Sequence, residues 1–484
     1  IYINHIRDDK YLKGCVLNIL LFLKTLSNVT ILKLYSLIQF NQLRIKIMKK
    51  SIIAFLFLSV SVFAQEEAKF RKIDSLFNYL CQNDRFMGSV QIRENNTIVF
   101  DKAYGFADYK AKIKANPTTK YKIGSITKTF TAALIFQLIE EKKLNLATKL
   151  SKFYPEIKNA DKITLSQMLN HKSGIFNFTA EDNFEKAVLQ PITKDAMIAK
   201  IASFTPAFEP NVKAEYSNSN YILLGYIIEK ITNKSYFENV NKRIISKIDL
   251  KNTSYYNQID SSENEAFSYQ INADKKIEKF EEWNESNVGA AGGLQSTSGD
   301  LNLFTQALFE GKIINKTSLS EMTKLDAGFG KGIFSAPFGD RIFYTHNGGI
   351  EGFISTYGYY PKDKLGFSIL MNLDNYNMNE LVIDMLSIYY KMPFEFPKFQ
   401  TLAVDQAVLK NYEGIYGADN FPLKLTIKLQ NGALTGQATG QPSFPLIAVS
   451  ETEFLFEQAK ISIEFVKDGF NFVQNGRPMT FKRE

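Results

Sequence analysis

Gly124-Ser125-Ile126-Thr127-Lys128-Thr129-Phe130-Thr131-Ala132-Ala133-Leu134 decides the reading of this 484-residue chain. Apolar positions continue at Ile135, Leu138 and Ile139, with the spacing of a helix. A helix predicted over 125–142 puts Ser125 on its first turn and Lys128 on the same face, three residues on. An amine placed there can take a hydroxyl proton, which is what activating a serine nucleophile requires. Ser125 is the only serine in the chain followed three residues later by a lysine. In a lysine-rich chain one Ser-x-x-Lys is a weak signal, and its weight rests on partners elsewhere.

Two further clusters supply candidates. Tyr216-Ser217-Asn218 precedes an apolar helix predicted over 221–232, so Tyr216 and Asn218 would sit on a loop pinned from behind. A phenol near a lysine can pass a proton between nucleophile and leaving group. The plain alternative is a surface tyrosine and an asparagine cap. Tyr344-Thr345-His346-Asn347-Gly348-Gly349 closes a strand predicted over 341–346. Gly348 and Gly349 would let an extended ligand approach and pair with the strand edge. A structural histidine among glycines is the alternative there, and a solvated helix lysine is the alternative for Lys128. Lys128 can be a base only if its amine is neutral part of the time, which burial and the positive end of the helix dipole both favour.

Around these motifs the chain reads as α+β. Residues 88–100 form a hairpin turning at Asn95-Asn96, and strands follow late at 341–346, 352–360 and 365–371. A helix is expected over 299–309, and an amphipathic helix near 378–391 closes the unit. Strands at both ends with helices between them imply one antiparallel sheet flanked by helices, with a helical region beside it. Pro393 and Pro397 mark a linker. Beyond it Leu423, Leu425, Ile427 and Leu429 alternate with polar residues, and Asn431-Gly432, Asp468-Gly469 and Asn475-Gly476 supply turns. The expected domains are therefore 65–395 and a small all-β barrel or sandwich over 405–484.

The beginning of the chain reads as a leader. Residues 1–47 show no period and are expected to be upstream, non-native translation. Met48-Lys49-Lys50, an apolar stretch and Ala64 make a signal peptide over 48–64. Residues 1–64 hold nine Lys or Arg against two Asp or Glu, which leaves 49 basic and 48 acidic side chains. The formal charge of +8 is thus mostly the leader's. Nothing in the remainder points to nucleic acid, a basic membrane patch or a membrane span. Cys15 goes with the leader, so Cys81 has no partner for an intrachain disulfide and extends the stripe Ile73, Leu76, Phe77, Leu80. A periplasmic or secreted protein is expected. Past the leader only His171 and His346 remain, too few for a multi-histidine metal site, and no metal or cofactor is expected.

Ser-x-x-Lys, Tyr-x-Asn and His-x-Gly, in that order, resemble the serine β-lactamase and penicillin-binding protein family. The tyrosine form of the second motif is similar to the branch with class C β-lactamases, D,D-peptidases, D-aminopeptidases and related esterases. Leu169-Asn170-His171-Lys172-Ser173-Gly174 and Gly289-Ala290-Ala291-Gly292-Gly293-Leu294 fit that branch too, and the resemblance spans residues 70–392. It implies a β-lactamase/transpeptidase-like domain followed by a small barrel. It also implies Ser125 as acylated nucleophile, Lys128 as its base, Tyr216 as proton shuttle and Asn218 as holder of substrate amides. The N–H groups of Ser125 and Gly349 would form the oxyanion hole, and His171 would order a loop. His346 stands where class C enzymes carry a lysine. A histidine titrates near 6.5 when unperturbed, so one limb of the pH profile is expected from His346. The same exchange favours peptides, amides or esters over efficient β-lactam turnover. The expected function is an exported acyl-serine hydrolase acting on a small-molecule or peptide substrate. The alternatives are a β-lactamase, or a slowly acylating penicillin-binding sensor.

Overall fold

The computed structural model describes residues 68–484 except Ala273, Gln400, Thr401, Asn420, Glu457, Gln458, Lys460, Asn475 and Gly476, together with isolated positions between 14 and 40. The upstream segment, the signal peptide and the Asn475-Gly476 turn otherwise lie outside the described residues. The chain divides into two compact units, Ile1–Ser75 with Met385–Met392, and Leu76–Asp384 with Pro393–Glu484. In the first, the Lys69 ammonium lies 4.1 Å from the centre of the Tyr389 ring.

The larger unit is built on a six-stranded antiparallel sheet. Its strands are β1 (Gly88–Glu94), β2 (Thr97–Tyr104), β3 (Phe334–Phe338), β4 (Arg341–Ile350), β5 (Phe353–Tyr360) and β6 (Leu365–Met371), in the spatial order β3-β4-β5-β6-β1-β2. The two ends of the sequence thus meet in one sheet, where Val90 pairs with Ile369. The first hairpin turns at Asn95-Asn96, both left-handed at φ +48° and +68°, as a two-residue turn requires. β4 runs to Ile350, past the expected end at 346, because it stays paired with β5 up to the turn Glu351-Gly352. Gly348 and Gly349 are therefore strand residues.

Helix α1 (Thr127–Glu140) is buried on every side from Thr127 to Leu138. A helix with that sequence has no solvent face, so its polar residues need internal partners. Thr129 pairs with the Tyr357 hydroxyl of β5 at 3.1 Å, and Thr131 donates to the Ala290 carbonyl at 2.7 Å. Thr127 accepts from the Leu294 N–H at 3.2 Å. These bonds fix α1 in rotation against the sheet and against the glycine-rich segment 289–294. Helix α2 (Asn218–Thr232) and helix α3 (Ser298–Phe309) pack beside it, with Phe304 of α3 stacked on Phe130 at 3.6 Å. Within this unit Leu76, Phe77 and Leu80 are buried, and Cys81 is half-buried.

Toward the end of the chain, eight strands from β7 (Gly414–Ala418) to β14 (Arg477–Arg483) close into a barrel. Leu425, Ile427, Phe465, Phe470 and Phe481 fill its interior, as expected where eight strands leave room only for side chains. The turn Asn431-Gly432 has φ +49° and +80°. Closure removes the edges that a two-sheet sandwich would leave.

Candidate active site

Ser125 sits on a single turn, Gly124–Ile126, that leads into α1. Gly124 is left-handed at φ +49°, and a side chain there would meet the Gly349 backbone at 3.0 Å. The turn thus lies directly against β4. On that strand, period-two alternation buries His346, Gly348 and Ile350 on one face. A Cβ on Gly348 would come within 2.0 Å of the Ile123 carbonyl oxygen, so only glycine fits. The Ser355 hydroxyl donates to that same carbonyl at 2.9 Å. This contact brings the Ser125 and Gly349 backbones side by side.

Lys128 is fully buried, and its Nζ lies 2.9 Å from Ser125 Oγ and 2.7 Å from the Ala291 carbonyl oxygen. Among the described residues it has no carboxylate partner, and desolvation holds its pKa well below the ordinary lysine value. A neutral amine has one lone pair, which leaves it free to accept from the serine while it donates to Ala291. Gly289–Gly292 forms the short helical turn that presents this carbonyl. Its tight seat under α2, where a Cβ on Gly225 would touch the Ala290 Cβ at 2.3 Å, explains the run of small residues.

The Lys128 Nζ lies 4.9 Å from the centre of the Tyr216 ring. Burial raises the Tyr216 phenol above its ordinary value, against a smaller opposing effect from a hydrogen bond with Ser125. The phenol is therefore protonated at neutral pH and stands at the serine. His346 is also buried; its Nδ1 lies 2.6 Å from the Asn347 carbonyl oxygen. A carbonyl only accepts, so Nδ1 carries the proton and Nε2 the lone pair, and Nε2 is buried without a hydrogen-bond partner. Desolvation, with the nearby Lys128 charge adding to it, pushes His346 down to about 3. Burial thus favours the neutral imidazole, and a limb set by His346 is expected below 6.5. The chain order of the motif cannot show that burial.

Ser125, Lys128, Tyr216 and His346 thus converge, with Gly348 and Gly349 along one wall. Asn218 is placed differently from the sequence reading, because α2 begins at Asn218 itself. Its N–H donates to Asn177 Oδ1 at 2.9 Å and its side-chain amide donates to Thr179 Oγ1 at 3.0 Å. Those bonds tie α2 to the 177–179 loop.

Phe329 and Phe334 escaped the sequence reading, and His171, expected only to order a loop, lies against Tyr216 itself. His171, left-handed at φ +59°, stacks on Tyr216 at 4.4 Å. Its Nδ1 accepts from the Ser217 N–H at 3.1 Å and its carbonyl accepts from the Glu215 N–H at 2.9 Å. One residue therefore grips Tyr216 from both flanks and from its face. Phe329 lies 5.3 Å from His171, and Phe334 lies 4.8 Å from His346 and 6.5 Å from Tyr216. These two rings pack an apolar wall against the two imidazoles. The alternating glycines of Gly328-Phe329-Gly330-Lys331-Gly332 were the available signal. Among the described residues no cluster of His, Cys, Asp or Glu could hold a metal ion, and no helix is long and apolar enough to cross a membrane.

The family model described as Beta-lactamase matches residues 71–387. A penicillin-binding protein of Bacillus subtilis (strain 168) is 26% identical over 431 residues, covering 83% of this chain and 94% of that protein. The octameric penicillin-binding protein homologue from Pyrococcus abyssi superposes with TM-score 0.64 at 24% identity, over 85% of this chain and 99% of its own. A D-stereospecific amidohydrolase from Streptomyces sp. superposes with TM-score 0.58 at 24% identity, over 67% of this chain and 99% of its own.

Proposed function

Because the chain belongs to the Beta-lactamase family, we propose that it is an exported acyl-serine hydrolase that cleaves a peptide, amide or ester bond through a covalent intermediate on Ser125. The observation that carries this reading is the Lys128 amine, buried, unpaired with any carboxylate among the described residues and 2.9 Å from Ser125 Oγ. That amine takes the hydroxyl proton as Oγ attacks the substrate carbonyl carbon. The oxygen that gains charge sits between the N–H groups of Ser125 and Gly349, where fixed donors stabilise it without reorganisation. Tyr216, protonated and beside both groups, relays the proton to the leaving nitrogen or oxygen, and the C–N or C–O bond breaks. Water then attacks the acyl-enzyme, giving up its proton along the same route, and Ser125 is released.

The substrate preference follows from charge. A neutral His346 cannot grip a carboxylate as a lysine would, and the aromatic wall of Phe329 and Phe334 favours an uncharged group beside the scissile bond. Esters and amides therefore suit the site better than β-lactams, whose ring carboxylate needs a cation. The D-stereospecific amidohydrolase among the fold neighbours is compatible with that class. The test is a panel of p-nitrophenyl esters, D-amino-acid amides, a D-Ala-D-Ala peptide and a chromogenic cephalosporin, run on wild type and Ser125→Ala. Ester or amide turnover lost in Ser125→Ala supports the reading. Faster turnover of the cephalosporin than of any ester or amide favours a β-lactamase, and turnover that survives Ser125→Ala ends the proposal.

A further inference from the structure

We propose that the buried pair Lys122–Glu351 is a positioning clip that holds the Gly349 N–H alongside the Ser125 N–H, an inference that rests on the acyl-serine reading. Lys122 Nζ lies 2.7 Å from Glu351 Oε2, and the two side chains are 1% and 0% exposed. Lys122 is three residues before Ser125, and Glu351 is two residues after Gly349. The pair therefore spans the two chain segments that each contribute one donor.

Two local rules are broken at Glu351, and the break points to a purpose. Glu351-Gly352 is the two-residue turn between β4 and β5, with φ +50° and +75°. A turn with both residues left-handed favours Asn-Gly or Asp-Gly, and a glutamate there is strained. Turn tips also lie in solvent as a rule, yet Glu351 is buried. Its second oxygen accepts from the Trp283 N–H at 2.8 Å, and Glu282 stands 3.9 Å from the same lysine. The Lys122 ammonium also lies 4.2 Å from the centre of the Tyr256 ring. An ion pair removed from water is a weak source of net stability. Here it imposes a conformation that the turn residue alone would resist.

Each segment is held in its own ladder, β4 against β5 and Lys122 against Gln295, but few bonds join the two segments directly. Among the described residues no backbone hydrogen bond links 122–125 to 347–351; the Ser355 hydroxyl bridges the Ile123 and Gly348 carbonyls at 2.9 and 3.3 Å. The glycine contacts set how close the two segments come. They do not set how far β4 slides past the serine turn. A charge pair of fixed length at the far end of that contact does.

The test compares wild type with Lys122→Met/Glu351→Asn and with Glu351→Asp. The double variant replaces the pair by an apolar stem and a turn-favouring residue, so it keeps the turn and removes the clip together with the Trp283 N–H acceptor. Glu351→Asp keeps the charge and shortens the reach. Both variants should show wild-type circular dichroism, with kcat lowered roughly 10- to 100-fold and KM within about twofold. Affinity for phenylboronic acid, whose tetrahedral adduct on serine uses both donors, should fall by the same factor. A folded variant with wild-type kcat and boronate affinity overturns the inference, and if the double variant does not fold, Glu351→Asp decides alone. Failure of the underlying reading looks different, because wild type itself would then resist a fluorophosphonate probe. Labelling of wild type and Glu351→Asp at equal rates sinks the clip only.

Discussion

Replacing His346 by glutamine should change how the fold responds to acid, because burial holds the imidazole neutral. His346 is 2% exposed, and burial followed by the Lys128 charge pushes its imidazole to about 3. In the unfolded chain the same group takes a proton near 6.5. Between those values the unfolded state binds the extra proton and the folded state does not. Stability therefore falls as pH falls, by about 1.4 kcal/mol per pH unit for this one residue. From pH 7.0 to 4.5 the loss is about 2.5 kcal/mol. Glutamine has a similar reach, can donate to the Asn347 carbonyl and does not titrate. His171 is held neutral in the same way, by desolvation first, then by Lys128 and by His346 itself, so the variant relieves part of the His171 shift as well. The assay is urea unfolding at pH 7.0 and pH 4.5 followed by tryptophan fluorescence. Trp283 is the only tryptophan in the chain and packs in the main hydrophobic core, so the signal reports that region. The expected result is a wild-type stability that drops by about 2.5 kcal/mol more than that of His346→Gln between the two pH values. Equal drops, within about 0.5 kcal/mol, would show that the imidazole titrates freely in the fold and would refute the desolvated site.

Three other substitutions probe the same cleft. Lys128→Met should abolish turnover; and because desolvation makes the buried lysine give up its proton before the unfolded one does, the stability of wild type relative to the variant should rise with pH, measured by urea unfolding at pH 8 and 9.5. Gly348→Ala drives a Cβ to 2.0 Å from the Ile123 carbonyl oxygen and should lower kcat about 100-fold by shifting Gly349, with circular dichroism unchanged; wild-type kcat would show that the strand does not carry the donor. His171→Phe keeps the stack on Tyr216 and removes the acceptor for the Ser217 N–H. It should lower kcat about tenfold with little change in KM, and an unchanged kcat would exclude His171 from positioning the phenol.

Much of this was legible in the sequence because the chemistry is carried by local patterns. Ser-x-x-Lys announces a helix start, and Asn95-Asn96 and Asn431-Gly432 announce hairpins through residues that tolerate positive φ. Alternation at Leu425 and Ile427 identifies β strands, but the same alternation serves a sandwich and a barrel, so closure was not readable. The boundary of α2 misled for a physical reason. Apolar periodicity begins at Tyr221, whereas Asn218, Ser219 and Asn220 are the polar first turn, bonded to the 173–179 loop. What sequence could not give were the long-range partners. His171 reaches Tyr216 from 45 positions away through a left-handed backbone, Phe329 comes from a glycine-rich loop, and Phe334 opens the edge strand β3. Burial decides the charge of His346 and Lys128, and burial is a property of those distant neighbours.

The central claim is that a neutral lysine makes Ser125, and no other residue, the acyl acceptor. Intact-mass spectrometry of wild type, Lys128→Met and Ser125→Ala after brief exposure to a fluorophosphonate, with peptide mapping of the adduct, measures it directly. One adduct per wild-type chain, on the peptide containing Ser125 and absent from both variants, is the expected result. An adduct on another residue, or full labelling of Lys128→Met at the wild-type rate, would contradict it.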